Sequence, residues 1–257
     1  MEGYTLGCFS CNSMINGTCS PYNNTDPQTC PNVCEAPRGF GITSETNKPE
    51  PCQVGSYSTT NSSTGVSICT ICPENSNTEG GLAKDIQDCL CFPGYGKGNT
   101  SHCEICPHNT FKPDSGNDAC TPCPQNSIAP IGSTQNSYCK CKPGYSGMNG
   151  NECSMCALNT FKAEIGNSSC EICPLNSESP QGSSQQSACK CKPGYTGSDG
   201  FNCSICLENS FKSTLGNESC QFCPDGSVSS SGSINAVDCQ CIPGYTGQNG
   251  QPCSICA

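Results

Sequence analysis

Apolar side chains other than cysteine are sparse in this sequence, and they return at fixed places. Each stretch of about 50 residues keeps one aromatic residue in its first half, such as Phe111, and one tyrosine in its second half, such as Tyr145. Gly and Pro also return, for example in the turn Pro143-Gly144-Tyr145. Because Gly and Pro interrupt regular structure so often, the pattern predicts short strands with tight turns and little helix. We expect Phe111 and Tyr145 to form a miniature core and the contact between modules; the alternative is a stacking surface for a sugar or another ligand.

The cysteines show the same period more strictly. Cys103, Cys153, Cys203 and Cys253 are each 50 residues apart. A fixed period of this size indicates one supersecondary unit repeated along the chain. Thirty cysteines in 257 residues indicate a disulfide scaffold, which forms in an oxidising compartment. The sequence therefore predicts an extracellular or cell-surface protein.

The period divides the chain into modules. We expect a divergent cysteine-rich module, four six-cysteine repeats and the start of a further one: 1–51, then repeat 1 (52–103), repeat 2 (106–153), repeat 3 (156–203), repeat 4 (206–253), then 254–257. Repeats 2 to 4 have identical cysteine spacings, whereas repeat 1 has extra residues before Cys69 and Cys89. In the divergent module, Pro37-Arg38-Gly39-Phe40-Gly41 resembles the Pro-Gly-Tyr turn, and Pro49 stands where the first cysteine of a junction is expected.

Composition and charge argue against several kinds of architecture and partner. Hydrophobic residues make up 33% of the chain, cysteines included, and there is no Trp, so disulfides must replace one large apolar core. A net charge of −10 argues against a nucleic-acid partner. No apolar run reaches about 18 residues, so no membrane span is expected in this segment. The start, Met1-Glu2-Gly3-Tyr4, lacks the features of a signal peptide, and we expect a processed or partial segment of a secreted protein.

The motifs resemble two known kinds of module. The run Cys139-Lys140-Cys141-Lys142-Pro143-Gly144-Tyr145, closed by Cys153, is similar to the C-terminal half of an EGF-like module. The wider pattern, from Cys106-Pro107-His108-Asn109-Thr110-Phe111-Lys112 through Cys120-x-x-Cys123-Pro124, resembles the cysteine-rich repeat of ephrin-type receptors. Such repeats also occur in large surface proteins of protists and algae, including flagellar-hair (mastigoneme) proteins.

The resemblance implies a fold of small disulfide-rich modules with short β-hairpins, in tandem EGF-like repeats that form an elongated rod. Six cysteines allow many connectivities; the EGF-like pattern implies that the first pairs with the third, the second with the fourth and the fifth with the sixth. The implied pairs are Cys106–Cys123, Cys120–Cys139, Cys141–Cys153, Cys156–Cys173, Cys170–Cys189, Cys191–Cys203, Cys206–Cys223, Cys220–Cys239 and Cys241–Cys253. Two residues between Cys153 and Cys156 then leave little freedom at the junction between repeats.

The sequence gives little support for a metal site or for catalysis. His102-Cys103-Glu104-Ile105-Cys106-Pro107-His108 holds both histidines and has the ligand types that zinc prefers, but the same Cys-x-x-Cys recurs at 153 and 156 without histidine. The carboxylates that calcium-binding EGF-like modules carry before their first cysteine are missing, and we expect Asp85 and Asp88 to be solvated. No catalytic residues can be assembled from two framework histidines, so we expect no enzyme and no cofactor.

Glycosylation is the chemistry that the sequence favours most. Seven Asn-x-Ser/Thr triplets begin at Asn16, Asn23, Asn61, Asn99, Asn167, Asn202 and Asn217. Asn167 and Asn217 occupy equivalent positions after Gly166 and Gly216 and are the strongest candidates, whereas Asn202 precedes a framework cysteine. A chain rich in Asn, Ser and Thr also yields such triplets by chance, so unmodified loops are the alternative.

The six-cysteine repeats leave an odd cysteine number at each end, with Cys256 alone at the C-terminal end. We expect either a segment cut from a longer array, or protomers joined head to tail, with Cys256 paired to an N-terminal cysteine such as Cys8. The sequence thus favours a structural extracellular glycoprotein, a rod-like segment of a filament or surface assembly that contacts itself or other extracellular proteins. The alternatives are the ligand-binding or adhesion ectodomain of a receptor-like protein, and an enzyme's cysteine-rich appendage.

Overall fold

The computed structural model describes residues 38–42, 49–59, 68–98 and 102–256. Contacts divide the chain into two compact units. In its described part, the first unit contains the residues up to Pro122 together with Pro130–Gln135; the second contains Cys123–Ala129 and 136–256. No helix in these described ranges has the length and hydropathy that crossing a membrane requires.

Short antiparallel hairpins are the regular structure of both units, and three kinds alternate along the chain. The first hairpins are Ser56–Tyr57 with Thr70–Ile71, Thr110–Phe111 with Thr121–Pro122, Thr160–Phe161 with Glu171–Ile172, and Ser210–Phe211 with Gln221–Phe222. The second hairpins are Ser76–Asn77 with Leu90–Cys91, Ser127–Ile128 with Lys140–Cys141, Ser177–Glu178 with Lys190–Cys191, and Ser227–Val228 with Gln240–Cys241. The junction hairpins are Phe40–Ile42 with Pro49–Pro51, Tyr95–Lys97 with Cys103–Ile105, Tyr145–Ser146 with Ser154–Met155, Tyr195–Thr196 with Ser204–Ile205, and Tyr245–Thr246 with Ser254–Ile255.

A left-handed residue immediately precedes the first strand of the first and second hairpins. Asn159, before the first hairpin of repeat 3, has a φ of 62°, and Gly55 takes the same place in repeat 1 with a φ of 88°. Asn176 precedes the second hairpin with a φ of 61°, and Gly226 replaces it in repeat 4. Asn and Gly are the residues that enter this region most readily, which explains why they return at these positions.

Helical structure in the described residues is limited to single 3₁₀ turns before the fourth cysteine of each repeat: Ile86–Asp88, Asn136–Tyr138, Gln186–Ala188 and Ala236–Asp238. In repeat 1 the Asp85 carboxylate accepts a hydrogen bond from the Gln87 N–H, and Asp88 accepts from the N–H groups of Lys84 and Asp85. Asp85 and Asp88 therefore cap this turn as well as contacting solvent. The prediction of short hairpins with little helix is confirmed.

Every disulfide in the described part of the chain joins a cysteine to the next one in sequence. The bonds of repeat 3 are Cys156–Cys170, Cys173–Cys189 and Cys191–Cys203, and the other repeats follow the same order. The fifth-to-sixth bond agrees with the EGF-like pattern. The other implied pairs are wrong: Cys106–Cys123, Cys120–Cys139, Cys156–Cys173, Cys170–Cys189, Cys206–Cys223 and Cys220–Cys239.

The first hairpin explains the observed pairing. Cys170 and Cys173 flank the strand Glu171–Ile172, and residues three apart on a strand point to opposite faces. Cys173 faces the small core that it forms with Phe161 and Cys189. Cys170 faces the other side and reaches Cys156, with a Cα–Cα distance of 5.7 Å. Phe161 and Phe211 are buried, whereas Phe111 and Tyr145, the two residues named in the prediction, are half-buried. The aromatic residue of the first half is therefore a core residue in repeats 3 and 4.

Candidate functional site: the junctions between repeats

The junction is the most regular feature of the molecule. We define a junction as the turn and junction hairpin that end one repeat, together with the segments of the next repeat that form hydrogen bonds with them. Between repeats 2 and 3, Tyr145 lies opposite Met155 and Ser146 opposite Ser154. The two residues between Cys153 and Cys156 therefore form a paired strand and do not act as a free linker.

Four backbone hydrogen bonds recur at this junction: three join repeat 2 to repeat 3, and the fourth, from Gly182 to Cys156, lies within repeat 3. The Gly144 N–H donates to the Lys162 carbonyl at 2.8 Å, and the Cys156 N–H donates to the Gly144 carbonyl at 2.9 Å. The Gly166 N–H donates to the Cys141 carbonyl at 3.0 Å, and the Gly182 N–H donates to the Cys156 carbonyl at 2.9 Å. The junctions between repeats 1 and 2 and between repeats 3 and 4 repeat all four bonds at 2.8 to 3.0 Å.

Close backbone approach restricts the turn to glycine. Gly144 is buried with a φ of 81°, and a Cβ atom there would collide with the Gly182 carbonyl oxygen. A Cβ atom on Gly182 would in turn lie 3.0 Å from Cγ of Met155, so the methionine side chain covers that glycine. Ile105 and Ile205 cover Gly132 and Gly232 in the same way. The junction is therefore packed by side chains as well as hydrogen-bonded.

A buried lysine stands at the centre of each of these junctions. Lys162 is 2% exposed, and its Nζ donates a hydrogen bond to the Glu164 carbonyl at 2.6 Å. Lys212 is equally buried and donates to the carbonyls of Thr214 and Gly216. The ammonium group therefore binds carbonyl groups of the loop that carries Gly166 or Gly216. The N–H of that glycine donates to the carbonyl of Cys141 or Cys191 in the preceding repeat. Lys112 bonds to the Asp114 carbonyl in the same manner.

Burial lowers the pKa of all three lysines below the ordinary value of 10.5. Nearby carboxylates oppose that shift: Glu164 raises the pKa of Lys162, while Glu218 and Asp199 raise that of Lys212. Asp199 belongs to the turn of the preceding repeat, and its Oδ1 atom is buried without a hydrogen-bond partner among the described residues. Its attraction to Lys212 adds an electrostatic contact across the junction between repeats 3 and 4.

Sequence reasoning quoted the pair Phe111-Lys112 but gave the lysine no role. The pair returns at 161–162 and 211–212, but recurrence alone does not distinguish a buried lysine from an exposed one. In repeat 1 the corresponding residue is Ser58, which is also buried.

The predicted glycosylation sites fall into three groups. Asn167 and Asn217 are exposed and follow Gly166 and Gly216 in equivalent loops. Asn202 is exposed, but its Oδ1 accepts a hydrogen bond from the Leu175 N–H at 3.0 Å. The remaining candidates, Asn16, Asn23, Asn61 and Asn99, lie outside the described residues, and all seven sites stay predictions.

The cysteines considered for other roles have different environments. Cys103 and Cys106, beside the two histidines, are bonded to Cys91 and Cys120, so their sulfurs are not thiolate ligands for zinc. Cys256 is free and exposed. Cys8 lies outside the described residues, so the inter-subunit pair stays a prediction.

Comparison with known proteins adds the family. The model of the family described as "Tyrosine-protein kinase ephrin type A/B receptor-like" matches residues 94–139, 144–189 and 194–239, which together make up more than half of the chain. Each match begins at the glycine of a Pro-Gly-Tyr turn and ends at the fourth cysteine of the following repeat, so it contains one junction from its turn glycine onward.

Individual relatives match over shorter stretches. The chain is 31% identical over 112 residues to the sushi, von Willebrand factor type A, EGF and pentraxin domain-containing protein 1 of Rattus norvegicus, which is 42% of this chain and 3% of that protein. It is 48% identical over 44 residues to ephrin type-B receptor 4 and 39% identical over 56 residues to ephrin type-B receptor 6, both of Homo sapiens. These stretches are 16% and 21% of this chain and 4% and 5% of the receptors. The chain therefore spans only a small part of each relative; with the disulfides, the relatives indicate an extracellular or cell-surface protein.

Proposed function

Because the chain belongs to the tyrosine-protein kinase ephrin type A/B receptor-like family, we propose that it is a structural segment of an extracellular glycoprotein. In this role the repeats hold the parts of a larger protein or assembly at a fixed spacing. A rod-like surface assembly or filament, as in flagellar hairs, is the specific form that we favour.

The repeated junction supports this proposal. A spacer must transmit orientation from one repeat to the next, and a flexible linker cannot do so. In the second unit, the bonds around Gly144 and Lys162 recur around Gly194 and Lys212. Since backbone pairing and side-chain packing act together at both junctions, each repeat has one preferred orientation on its neighbour.

A distance measurement tests the proposal. Gln181 and Ser231 are exposed, equivalent positions in repeats 3 and 4. Spin labels attached there through non-canonical amino acids, which spare the disulfides, should give one narrow distance distribution by pulsed electron paramagnetic resonance. A control chain with two glycines inserted between Ser204 and Ile205 should give a broad one. A broad distribution in the parent chain contradicts the spacer.

The glycoprotein part of the proposal has its own test. Asn167 and Asn217 are exposed, so an oligosaccharyltransferase can reach them in the secretory pathway. Peptide mass spectrometry of protein from a eukaryotic secretory host should find glycans on both, and Asn167→Gln and Asn217→Gln should each remove one glycan. Unmodified peptides at both positions contradict glycosylation of this loop.

The filament form requires contact between protomers. Cys256 is free and exposed, so an intermolecular disulfide with Cys8 of another chain is a specific way to make that contact. Non-reducing electrophoresis should then show a ladder that collapses in Cys256→Ser. A sharp band near 26.7 kDa in native material contradicts the cross-linked filament. The alternative, a ligand-binding or adhesion ectodomain, requires one repeat whose exposed side chains differ from those of its neighbours.

A further inference from the structure

One side chain distinguishes the junction between repeats 2 and 3 from the junctions on either side of it. Met155, the last residue of the strand Ser154–Met155, covers Gly182. At the neighbouring junctions the equivalent pairs are Ile105 over Gly132 and Ile205 over Gly232. The backbone hydrogen bonds and the register of the junction hairpin are the same at all three. A thioether therefore takes the place of an alkyl group without a change in the framework.

The methionine side chain lies along the glycine that it covers. A Cβ atom on Gly182 would be 3.0 Å from Cγ, 3.2 Å from Sδ and 3.9 Å from Cε of Met155. Gly182 has no side chain of its own, and its N–H donates to the Cys156 carbonyl at 2.9 Å. Backbone hydrogen bonds that contact solvent open more easily than covered ones. Met155 therefore protects this bond by keeping water away from it.

Solvent reaches the same side chain from outside. Met155 is 52% exposed, so a small solute can contact it in the folded chain. Met148 is 73% exposed and lies in a turn of repeat 2, where its carbonyl accepts a hydrogen bond from the Asn151 N–H. Met1 and Met14 lie outside the described residues. In the described part of the chain, Met155 is thus the methionine that is both open to solvent and packed on a glycine of the next repeat.

A thioether reacts with hydroperoxides, and the isoleucine side chains of the neighbouring junctions do not. A lone pair of Sδ attacks the outer oxygen of the peroxide, and the O–O bond breaks. The proton of the attacked oxygen passes to the other oxygen, which leaves as water or as an alcohol. Sulfur loses two electrons and the peroxide gains them. The product is a sulfoxide, which is polar where methionine is apolar.

The sulfoxide does not fit over Gly182 as the thioether does. The Gly182 N–H already donates to the Cys156 carbonyl, so it does not supply the donor that the new oxygen requires. A polar oxygen that packs on the backbone without a donor is unfavourable. Because Met155 is half exposed, its side chain can turn outward until the oxygen contacts water. Gly182 then loses its cover.

We propose that Met155 is an oxidation site for hydroperoxides, and that its sulfoxide uncovers Gly182 and lets the junction between repeats 2 and 3 open more easily. The junctions covered by Ile105 and Ile205 do not respond, so oxidation changes one junction and leaves the disulfides intact. The site does not depend on the spacer role, because its test follows the opening of a single hydrogen bond.

Hydrogen peroxide and hydrogen exchange test the site on the intact chain. Cys256 is alkylated first, because its free thiol would react as well. After peroxide treatment of the folded protein, peptide mass spectrometry should find a sulfoxide on Met155. Amide exchange measured by NMR should then be about fourfold faster or more at Gly182, which corresponds to losing the burial of roughly one methylene group. Exchange at Gly132 and Gly232 should not change.

Variants taken from the other junctions supply matched controls. Met155→Ile carries the residue of its neighbours, so the fold accepts it, and it should abolish the response of Gly182 to peroxide. Ile205→Met is the reverse exchange and should make Gly232 respond.

Two further variants separate the polarity of the sulfoxide from the peroxide treatment. Met155→Gln places a polar, unbranched side chain over Gly182 and should speed exchange there without any oxidant. Met148→Leu removes the other described methionine and should leave the response of Gly182 as it is in the parent chain. Intact mass under non-reducing conditions checks that every variant keeps all its disulfides, before and after treatment.

Three results overturn the proposal. One is conversion of Met148 while Met155 stays a thioether in the folded chain, because Met155 is then closed to the oxidant. Another is a sulfoxide on Met155 with unchanged exchange at Gly182, because the side chain then does not protect that bond. The last is an equal rise of exchange at Gly182 in the Met155→Ile chain, because the response then comes from a different group.

Discussion

The junction before repeat 1 and the junction between repeats 2 and 3 have the same backbone and different reinforcement. Before repeat 1, the Gly39 N–H donates to the Ser58 carbonyl at 3.1 Å and the Cys52 N–H to the Gly39 carbonyl at 2.9 Å, as around Gly144. There the junction hairpin has Pro49 where the later ones have a half-cystine, and Ser58 where they have a buried lysine. Strand register and a left-handed glycine thus define the junction, while the disulfide and the ammonium strengthen it.

Removing the disulfide should have the largest effect. Replacing both Cys141 and Cys153 with serine opens a bond with a sequence separation of 12 and leaves no free thiol. The chain-entropy model gives about 3 kcal/mol of lost stability for a loop near this size. Hydrogen exchange should show lost protection at Gly144 and Cys156 and unchanged protection at Cys52, whose junction has Pro49 in place of a half-cystine. Equal loss at both junctions contradicts independent reinforcement.

The close approach at the turn can be isolated with a matched pair of variants. Gly144→Ala places a methyl group against the Gly182 carbonyl at a φ of 81°. Gly244→Ala has the same backbone strain, at a φ of 91°, but no atom lies within 4 Å of the added Cβ. We expect both to lose about 1 kcal/mol from strain and Gly144→Ala to lose about 2 kcal/mol more from overpacking. Denaturant unfolding measures the difference, and equal losses contradict the contact.

The buried lysine should contribute less than the disulfide. Lys162→Met keeps the chain length and removes the hydrogen bond to the Glu164 carbonyl, which leaves that acceptor to water. We expect a loss of about 1 kcal/mol, because relief from burying a charge offsets part of the lost bond. Faster hydrogen exchange at Gly166 should accompany it. Lys140→Met, at an exposed lysine, is the control and should change neither quantity.

Substitution of Leu82 should raise the stability of the chain, whereas the preceding substitutions lower it. It takes the place of Gly132 and Gly182 and adopts a φ of 70°, a region that strains any residue with a Cβ. Leu82→Gly should therefore stabilise repeat 1 by up to about 1 kcal/mol, less the greater entropy of an unfolded glycine. Thermal unfolding measures the change. Gly182→Leu in repeat 3 should be destabilised, both by the same backbone strain and by contact of the new side chain with Met155. A destabilised Leu82→Gly chain means that the leucine side chain contributes more packing than its backbone strain removes.

The pH dependence should be the smallest effect. The pKa of each buried lysine is lower in the folded chain than the unfolded value of 10.5. The unfolded chain therefore binds more protons between the two values, and stability rises as pH increases through that window toward 10.5. Chemical denaturation with Cys256 alkylated measures the slope. Lys112, Lys162 and Lys212 all changed to methionine should flatten it, and an unchanged slope assigns it to other groups.

Sequence predicted the framework because that framework is local. The 50-residue period and the recurring Gly and Pro residues were enough to predict the short hairpins. The correspondence of Gly39-Phe40-Gly41 to the Pro-Gly-Tyr turn agrees with the strand register, in which Pro49 pairs as Cys103 does, while Pro37 lies outside the described residues. The prediction of how the first four cysteines pair is wrong, because the pairing depends on which face of the strand Glu171–Ile172 each sulfur occupies. The lysine's role depends on carbonyl groups that converge only after folding.

Pairing of each cysteine with the next one in sequence has a consequence for biosynthesis. Along the described chain no disulfide loop encloses or crosses another, so each bond can close as soon as its second cysteine enters an oxidising compartment. A chain oxidised in order of translocation reaches these bonds without first forming wrong ones, and it needs little disulfide exchange. Tandem arrays of this kind can therefore be lengthened by gene duplication without making oxidative folding harder for the cell.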